Sequence, residues 1–318
     1  MELKNNMKVL VTGGAGYIGS TLCQFLLEKN YEVTVVDIFN FGQNSLCHFN
    51  SNKKFNVEKI DVRDLGKMKN LYNSHDIIVP LAALVGAPLC SLKYQEAEEI
   101  NFTSLKNMTQ ELSKDQYVIY PTTNSGYGIG EKSKFCTEET KLNPISHYGK
   151  TKTRAENYIA EKLENSTRFR LATVFGCSPR MRLDLLVNDF VFRAIKDRFI
   201  VLFEGHFKRN YIHVRDVCSA IMYAIDNHSS FKGETFNLGL SNANLSKIEL
   251  CNKIKDHFPS FEIILSEIGK DLDKRDYIVS NEKIEKTGYL PTHTLDDGIE
   301  ELKKLFNFLI PEQNMRNI

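Results

Sequence analysis

The chain has 318 residues, enough for one large domain or two modest ones, and its 42% hydrophobic and 25% charged residues are ordinary for a globular protein. The net charge of +1 provides no basic field, which argues against binding to nucleic acid or to an anionic membrane surface. The segment Met1–Met7 is polar and lacks the apolar core of a signal peptide, so we expect a cytoplasmic protein.

Apolar runs, cysteines and histidines exclude further classes of protein. The longest apolar run, Ile77–Cys90, is interrupted by Pro80 and Gly86 and is too short to cross a bilayer, so we expect a buried strand. The seven cysteines include no CxxC pair, which favours reduced thiols over disulfides. Because the eight histidines show no HxH or HxxxH spacing, we expect no bound metal.

Short β-rich runs alternate with amphipathic stretches through the first half of the chain. The predicted strands are Lys8–Thr12, Glu32–Asp37, Phe55–Lys59, Asp76–Leu81, Tyr117–Thr122 and Arg168–Thr173. Predicted helices between them include Ser20–Lys29, Glu96–Leu112 and Tyr148–Leu163. Nearly all-apolar strands that alternate with helices predict a parallel sheet covered by helices on both faces.

The pattern loosens after Gly176, where short strands and helices mix and turn signals occur at Ser178-Pro179 and Gly205. We therefore expect a main α/β domain over residues 1–175. Residues 176–318 should form mainly a smaller α/β cap, with some late elements returning to the main sheet.

A glycine-rich turn follows the first strand directly. Gly13, Gly16 and Gly19 would let the chain turn tightly, let backbone N–H groups approach a pyrophosphate, and let the next helix pack on the strand. Glycine triplets alone are a weak signal, but here a strand precedes and a helix follows. Asp37 ends the next strand, where its carboxylate would bind the adenosine ribose hydroxyls and repel a 2′-phosphate. The sequence therefore predicts NAD rather than NADP.

A tyrosine and a lysine lie four residues apart, at Tyr148 and Lys152, so they share one face of a helix. Such pairs are common on surface helices, where the lysine simply extends into water. Two features favour catalysis here: the pair opens the helix that follows the fifth strand, and Thr123 lies at the end of that strand. Because a free phenol with a pKa of about 10 is a poor base, a nearby ammonium is needed to favour the phenolate.

The GxxGxxG spacing of TGGAGYIG resembles the extended short-chain dehydrogenase/reductase family of sugar-nucleotide epimerases and dehydratases. Arg209–Val217 and Gly288–Ile299 are similar to two further motifs of that family. The resemblance covers nearly the whole chain. It implies a Rossmann-type doubly wound parallel sheet with a smaller C-terminal α/β substrate-binding cap. It also implies a homodimer formed through the helices Glu96–Leu112 and Tyr148–Leu163.

The resemblance assigns roles by position. Thr123, Tyr148 and Lys152 would be catalytic, with Thr123 also holding the reacting sugar oxygen. The implied cofactor-binding residues are Gly13, Gly16, Tyr17, Ile18, Gly19, Asp37, Asp61, Val62, Leu81, Ala82, Ala83, Asn101, Tyr148 and Lys152. Asn188, Arg209 and Arg275 occupy diphosphate-binding positions of a nucleotide sugar. Arg180 and Arg182 are further substrate-binding candidates, for which the alternative is a solvated surface charge.

The residues after Thr123 narrow the reaction. The 4,6-dehydratases of the family have T-D-E-x-Y-G here, and their acid pair acts on C5 and C6 to eliminate water. This chain has Asn124 and Ser125, and neither an amide nor a hydroxyl is a general acid or base near neutrality. The difference argues against 4,6-dehydration and leaves 4-epimerisation, oxidative decarboxylation and simple oxidation at C4.

Three longer segments, Leu81–Cys90, Thr123–Glu131 and Arg170–Phe190, resemble the GDP-manno-heptose 4-dehydrogenases of bacterial capsule heptose pathways. This resemblance implies NAD-dependent oxidation of C4 of GDP-D-glycero-D-manno-heptose to a 4-keto sugar. A 4-epimerase is the alternative. Some proteins of this fold bind a dinucleotide only as redox sensors or scaffolds, and the complete Thr123–Tyr148–Lys152 set argues against that role.

Overall fold

The computed structural model describes residues 7–42, 44–131, 133–267 and 275–317. Within these ranges the strands are β1 Lys8–Thr12, β2 Glu32–Asp37, β3 Phe55–Lys59, β4 Ile77–Pro80, β5 Tyr117–Thr123, β6 Phe135–Cys136, β7 Ser166–Leu171, β8 Thr173–Phe175, β9 Phe199–Phe203, β10 Lys208–His213, β11 Thr235–Leu238, β12 Asn244–Ser246, β13 Glu262–Ser266 and β14 Ile278–Val279.

The α-helices in the same ranges are α1 Tyr17–Glu28, α2 Leu65–Asn73, α3 Ala87–Leu92, α4 Tyr94–Glu98, α5 Ser104–Glu111, α6 His147–Lys162, α7 Leu186–Lys196, α8 Val214–Asp226, α9 His228–Phe231, α10 Lys247–His257, α11 Glu282–Glu285 and α12 Leu295–Phe306. A π-helical turn, Glu99–Thr103, joins α4 to α5. Short 3₁₀ turns are Asn44–Phe49, Asn124–Tyr127 and Gln313–Met315.

The main sheet has seven strands in the order β11-β7-β5-β4-β1-β2-β3, and each pair of neighbours is parallel. From β1 the chain first moves outward through β2 and β3, and it then crosses to β4 and continues outward on the other side. The direction of winding therefore reverses between β1 and β4. In open parallel sheets, ligands bind at this reversal, beyond the carboxyl ends of the strands.

Alternate residues of the strands supply two separate cores. Val9 and Val11 of β1 point to the face covered by α1 and α8, where Leu22 and Ile221 are buried. Leu10 points to the opposite face with residues of α2, α5 and α6. Both faces of the sheet are covered, which explains why its central strands β1 and β4 are almost wholly apolar. The predicted Rossmann-type doubly wound sheet is confirmed.

The apolar run Ile77–Cys90 is not one buried strand. Only β4 belongs to the sheet, and the chain leaves it after Pro80. Gly86 has a φ of 103°, a left-handed conformation that suits glycine, and Pro88 opens helix α3 in its first turn. The prediction of a strand over the whole run was wrong because its glycine and second proline start a helix.

The predicted strand Arg168–Thr173 also divides. Its first part, β7, pairs in the main sheet, whereas β8 pairs with β10 in a three-stranded sheet, β12-β10-β8. The chain therefore passes from one sheet to the other at Ala172, whose N–H still bonds Leu238 in β11. β11 itself, from the second half of the chain, forms the edge of the main sheet.

The rest of the second half packs around a core of its own, formed mainly by α7, α10, α12 and the strands β9 and β10. Two small parallel sheets, β13-β9 and β14-β6, complete this region. The division into residues 1–175 and 176–318 stays a prediction. Among the helices that the structure describes, none combines the length and the apolar composition needed to cross a bilayer.

Candidate active site

A cavity of about 780 Å³ opens where the winding of the main sheet reverses. Its walls include the carboxyl ends of β1, β2, β4 and β5, together with residues of the second half such as Arg209, Lys247 and Arg275. A deep cleft of this size between two parts of a chain is the usual form of a cofactor or substrate site.

The glycine turn approaches the end of β4 too closely for any side chain. Gly13 has a φ of 72°, and a Cβ built there would lie 2.6 Å from the Ala82 nitrogen. A Cβ on Gly19 would lie 2.5 Å from the Gly13 oxygen, so helix α1 begins directly against the turn. Gly13, Gly16, Tyr17, Ile18 and Gly19 all line the cavity. The cradle offers backbone N–H groups and the first turn of α1 to a phosphate, as a dinucleotide requires.

Asp37 stands at the end of β2, beside the glycine turn. One oxygen accepts a hydrogen bond from Ala15 N at 3.0 Å, and the other accepts one from Phe39 N at 2.8 Å. Burial raises the pKa of this carboxyl, although both backbone bonds oppose the shift. Since each carboxylate oxygen has a second lone pair, Asp37 can still accept bonds from a ribose diol.

The segments that follow β3 and β4 supply the next part of the wall. Asp61, Val62, Leu81, Ala82 and Ala83 all line the cavity. Arg63 approaches Asp61 to 2.6 Å and keeps the pKa of that carboxyl below its ordinary value. The structure thus brings these five predicted residues to the same cavity as the glycine turn.

Two predicted site residues do not open into the cavity. Asn101 is fully buried, and its amide accepts a bond from Leu84 N at 2.8 Å and donates to Leu84 O at 2.9 Å. It also donates to Thr151 of α6, and so holds the loop after β4 against that helix. The amide of Asn188 accepts from Gly176 N and donates to Arg182 O, which fixes the loop after β8. The Asn101 and Asn188 side chains therefore hold the loops after β4 and β8 in place.

The three predicted catalytic residues meet at the middle of the cavity. Thr123 is the last residue of β5, and Tyr148 and Lys152 lie on the first two turns of α6. That helix begins here because Ser146 caps it, accepting a hydrogen bond from Gly149 N at 3.1 Å. The Lys152 Nζ donates to Pro121 O at 2.9 Å and lies 4.1 Å from the centre of the Tyr120 ring.

Burial acts on both ionisable groups of this trio. It raises the pKa of Tyr148 to about 12, while the charge of Arg275 and a hydrogen bond to Thr123 oppose the shift. It lowers the pKa of Lys152 to about 7, and the Glu156 carboxylate, one turn further along α6, opposes that shift. In the free protein, therefore, the tyrosine is protonated, and it needs positive charge beside it to become a base.

Several cations from the second half of the chain line the cavity. Arg182, which pairs with Asp184 at 2.6 Å, and Arg209 are buried, and Arg275 is partly buried. Lys247, at the start of α10, lines the cavity as well, with its Nζ donating to Phe203 O at 3.0 Å. Sequence patterns do not single out Lys247, because one lysine in the first turn of an amphipathic helix looks like any surface lysine.

Arg180 lies at the Asp37 end of the cavity. Its guanidinium lies 4.1 Å from the centre of the Phe41 ring, and its attraction opposes the rise in the pKa of Asp37. Its Nη2 donates to Asn314 O at 3.2 Å and to the Asn317 side chain at 2.9 Å. Only 7% of Arg180 is exposed, so it is not a solvated surface charge. Arg180 lines the cavity, and its contact with a substrate stays a prediction.

The family follows from a direct match. The model of the NAD dependent epimerase/dehydratase family matches residues 9–239 of this chain. The chain belongs to this family. Membership makes it an NAD-dependent enzyme, so the prediction of NAD is confirmed, and the glycine cradle and Asp37 fit that cofactor.

Two relatives illustrate the range of the family. The chain is 30% identical over 280 residues to the putative UDP-arabinose 4-epimerase 2 of Arabidopsis thaliana, covering 77% of this chain and 67% of that one. It is 29% identical over 250 residues to the UDP-N-acetyl-alpha-D-glucosaminuronate decarboxylase of Bacillus cytotoxicus, covering 73% and 74%. Relatives of this epimerase/dehydratase family therefore include enzymes named for different reactions on UDP-sugars.

Solved structures of the family share the fold. The UDP-glucose 4-epimerase of Thermotoga maritima superposes with a TM-score of 0.80 at 24% identity, covering 95% of this chain and 99% of that one. The dTDP-glucose 4,6-dehydratase of Bacillus anthracis gives 0.80 at 22% identity, covering 95% and 96%. At these identities the similarity shows the fold alone.

Replacing Asp37 tests how this family member selects its cofactor. In Asp37→Ala the ribose loses a charged acceptor and a 2′-phosphate is no longer repelled. Since such a bond contributes roughly 1.5–3 kcal/mol, the ratio of NADP to NAD dissociation constants should fall by about tenfold or more. Asp61→Ala is the matched control, because Asp61 lines the same wall and pairs with Arg63. An unchanged ratio in Asp37→Ala would contradict the assignment.

Replacing Lys152 tests the cost of burying its ammonium. In the folded protein the pKa of Lys152 is about 7, below its ordinary value of 10.5. Burying the charged form therefore lowers the free energy of unfolding most below pH 7, and this destabilisation disappears as the pH rises toward 10.5. Lys152→Met should therefore stabilise the cofactor-free protein, by on the order of 2 kcal/mol at pH 6 and by less at pH 9.5. Urea unfolding at both pH values measures this.

The exposed Lys150 on the same helix provides the control, because Lys150→Met removes a charge without relieving burial. Its free energy of unfolding should differ little from the wild-type value at either pH. If Lys152→Met is less stable than the wild-type protein at pH 6, the ammonium is not paying a burial penalty and the assignment is wrong.

Proposed function

We propose that the protein oxidises C4 of a nucleotide-linked sugar with NAD and releases a 4-keto sugar nucleotide, its substrate being GDP-D-glycero-D-manno-heptose. The observation that supports this most is the combination of Thr123, Tyr148 and Lys152 in one cavity with Asn124 and Ser125 directly after Thr123. The site has the groups for removing hydrogen from C4, and the two positions after Thr123 lack the acid pair for eliminating water.

Each catalytic residue has one task in this reaction. Tyr148 accepts the proton of the C4 hydroxyl, and Thr123 holds that oxygen beside the phenol. Lys152 holds the nicotinamide ribose and adds positive charge that favours the phenolate. Bound NAD supplies the acceptor for the hydrogen on C4 and the positive charge of its ring. The buried wall formed by Pro121 and Tyr120 keeps the Lys152 ammonium in place.

The environment of Asn124 and Ser125 argues against 4,6-dehydration. Asn124 is 1% exposed, and its amide has no hydrogen-bond partner among the described residues. Ser125 accepts hydrogen bonds from Thr123 and Arg275. Neither side chain can exchange a proton with the sugar near neutral pH. The site therefore lacks the acid and base that would remove water between C5 and C6 after oxidation at C4.

The diphosphate of the substrate meets buried cations of the cavity lining. Arg209 and Lys247 are both more than nine-tenths buried, and Arg182 shares its charge with Asp184. Buried cations suit a diphosphate because charge-assisted bonds are strongest away from water. Asn188 supports this wall indirectly, through its bond to the backbone of Arg182.

A 4-epimerase is the second candidate, because the same trio would serve it and several relatives are named as 4-epimerases. The two functions differ in the fate of the hydrogen from C4. An epimerase returns it to the opposite face of the sugar, whereas a dehydrogenase leaves it on the cofactor. The Bacillus cytotoxicus relative is named as a decarboxylase, which keeps decarboxylation as a third outcome that the product mass would reveal.

We further propose a cytoplasmic homodimer whose four-helix contact uses the helical stretch 94–111 and α6. On this face Phe102 and Tyr158 are half-buried and their rings lie 6.1 Å apart, and Arg154 pairs with Glu98 at 2.8 Å. Aromatic rings with a polar rim are typical of protein interfaces.

Incubation with GDP-D-glycero-D-manno-heptose and excess NAD tests the proposed reaction. A dehydrogenase should give a product lighter by two hydrogen atoms, with the absorbance of reduced nicotinamide rising in step. Tyr148→Phe should slow this by about a hundredfold or more, and Tyr158→Phe on the same helix should not. A product of unchanged mass would indicate epimerisation. A product lighter by one water molecule would indicate 4,6-dehydration.

A further inference from the structure

Arg275 lies beside the 3₁₀ turn Asn124–Tyr127, which directly follows Thr123. Its neighbour Asp276 bridges to Ile129, and Gly130 N donates to Asp276 O at 2.8 Å. The Asp276 carboxylate accepts a bond from Lys208 N at 2.8 Å. These bonds join the backbone next to Arg275 to the segment that follows Ser125 and to β10, so the approach of Arg275 to the turn is fixed by the fold.

The Arg275 side chain extends a row of polar groups that begins at the proposed C4 site. The Thr123 hydroxyl donates to Ser125 Oγ at 2.9 Å, and Ser125 N donates back to Thr123 Oγ1 at 3.1 Å. Arg275 Nη1 donates to the same Ser125 Oγ, and Arg275 also lines the cavity. Arg275 therefore lies one side chain away from the residue that would hold the C4 oxygen.

This position disagrees with a role at the diphosphate. In a six-membered sugar ring C1 and C4 are opposite corners, so the diphosphate on C1 lies at the other end of the sugar from Thr123. A guanidinium in contact with Ser125 is placed instead for a substituent on a carbon next to C4. The C3 carbon offers one hydroxyl, whereas the arm on C5 can offer two neighbouring oxygens, which is the pattern that a planar guanidinium fork binds best.

We propose that Arg275, anchored by Ser125, is the residue that recognises the arm on C5 of the sugar, and that this arm presents two neighbouring oxygens. The inference rests on the proposed oxidation at C4. Two kinds of sugar supply that chemistry: a heptose, whose arm is a diol, and a uronate, whose arm is a carboxylate. Arg275 is thus a specificity-determining residue, and the diphosphate is left to the other buried cations.

The test measures affinity of the NAD-loaded protein for two matched series of probes: GDP, GDP-mannose and GDP-manno-heptose, and UDP, UDP-glucose and UDP-glucuronate. Within the series that binds, the sugar with the two-oxygen arm should bind about tenfold tighter than the plain hexose. Arg275→Met should remove this preference and leave the affinity for the nucleoside diphosphate within about twofold of the wild-type value. Arg209→Met, the control, should weaken all members of the series.

Three results would overturn the inference: no preference in the wild-type protein, a preference that survives in Arg275→Met, or an equal loss of affinity for the nucleoside diphosphate. The third result would indicate that Arg275 binds the diphosphate. Ser125→Ala should also reduce the preference, and it decides the question if Arg275→Met fails to bind NAD. Binding of the UDP series alone would refute the GDP-heptose proposal while still testing Arg275, and binding of neither series would refute both.

Discussion

The ammonium of Lys152, held against Pro121 O, joins helix α6 to the end of β5, and the geometry of the site depends on this contact. Lys152 is 4% exposed, so its charge has been taken out of water and is offset by a carbonyl, the face of Tyr120 and the Glu156 carboxylate. An isolated charge would be expelled or neutralised in such a place. Burial lowers the pKa of Lys152 to about 7, so the fold places a group that gains its positive charge near neutral pH one helical turn from Tyr148, where a base has to be formed.

The cavity is lined by groups of both charges. Asp37 offers a carboxylate to a ribose, and Arg209, Lys247 and the Arg182–Asp184 pair offer buried cations to phosphates. These groups suit a dinucleotide and a nucleotide diphosphate that meet near Tyr148, because ribose hydroxyls can donate to the carboxylate and phosphates can accept from the cations. The loop after β8 contributes both Arg180, beside Asp37, and Arg182.

Local patterns in the sequence were sufficient for the sheet and for the centre of the site. The strands Lys8–Thr12 and Glu32–Asp37 have the predicted bounds, because apolar residues covered on both faces leave little alternative to a buried parallel strand. Tyr148 and Lys152 could be placed together because their spacing within one helix determines it. Thr123 could be placed near that helix because it ends the strand that precedes the helix in the chain.

Residues that depend on contacts distant in sequence were harder to place. Arg180 and Asn188 resemble ordinary loop and helix residues, and their surroundings include Phe41, the segment around Asn314 and the Tyr17 hydroxyl, far away along the chain. Lys247 reaches the cavity only because β12 pairs with β10 and directs α10 toward it. No local period or motif records such an arrangement, so sequence patterns assign these side chains poorly.

A substrate deuterated at C4 shows whether C4 is oxidised and whether the product leaves in the oxidised state. After one turnover on NAD, the deuterium should be recovered in the reduced cofactor, and the released sugar nucleotide should contain none. Recovery of the deuterium in the sugar, at C4 of the other configuration or at C6 of a dehydrated product, would contradict this prediction.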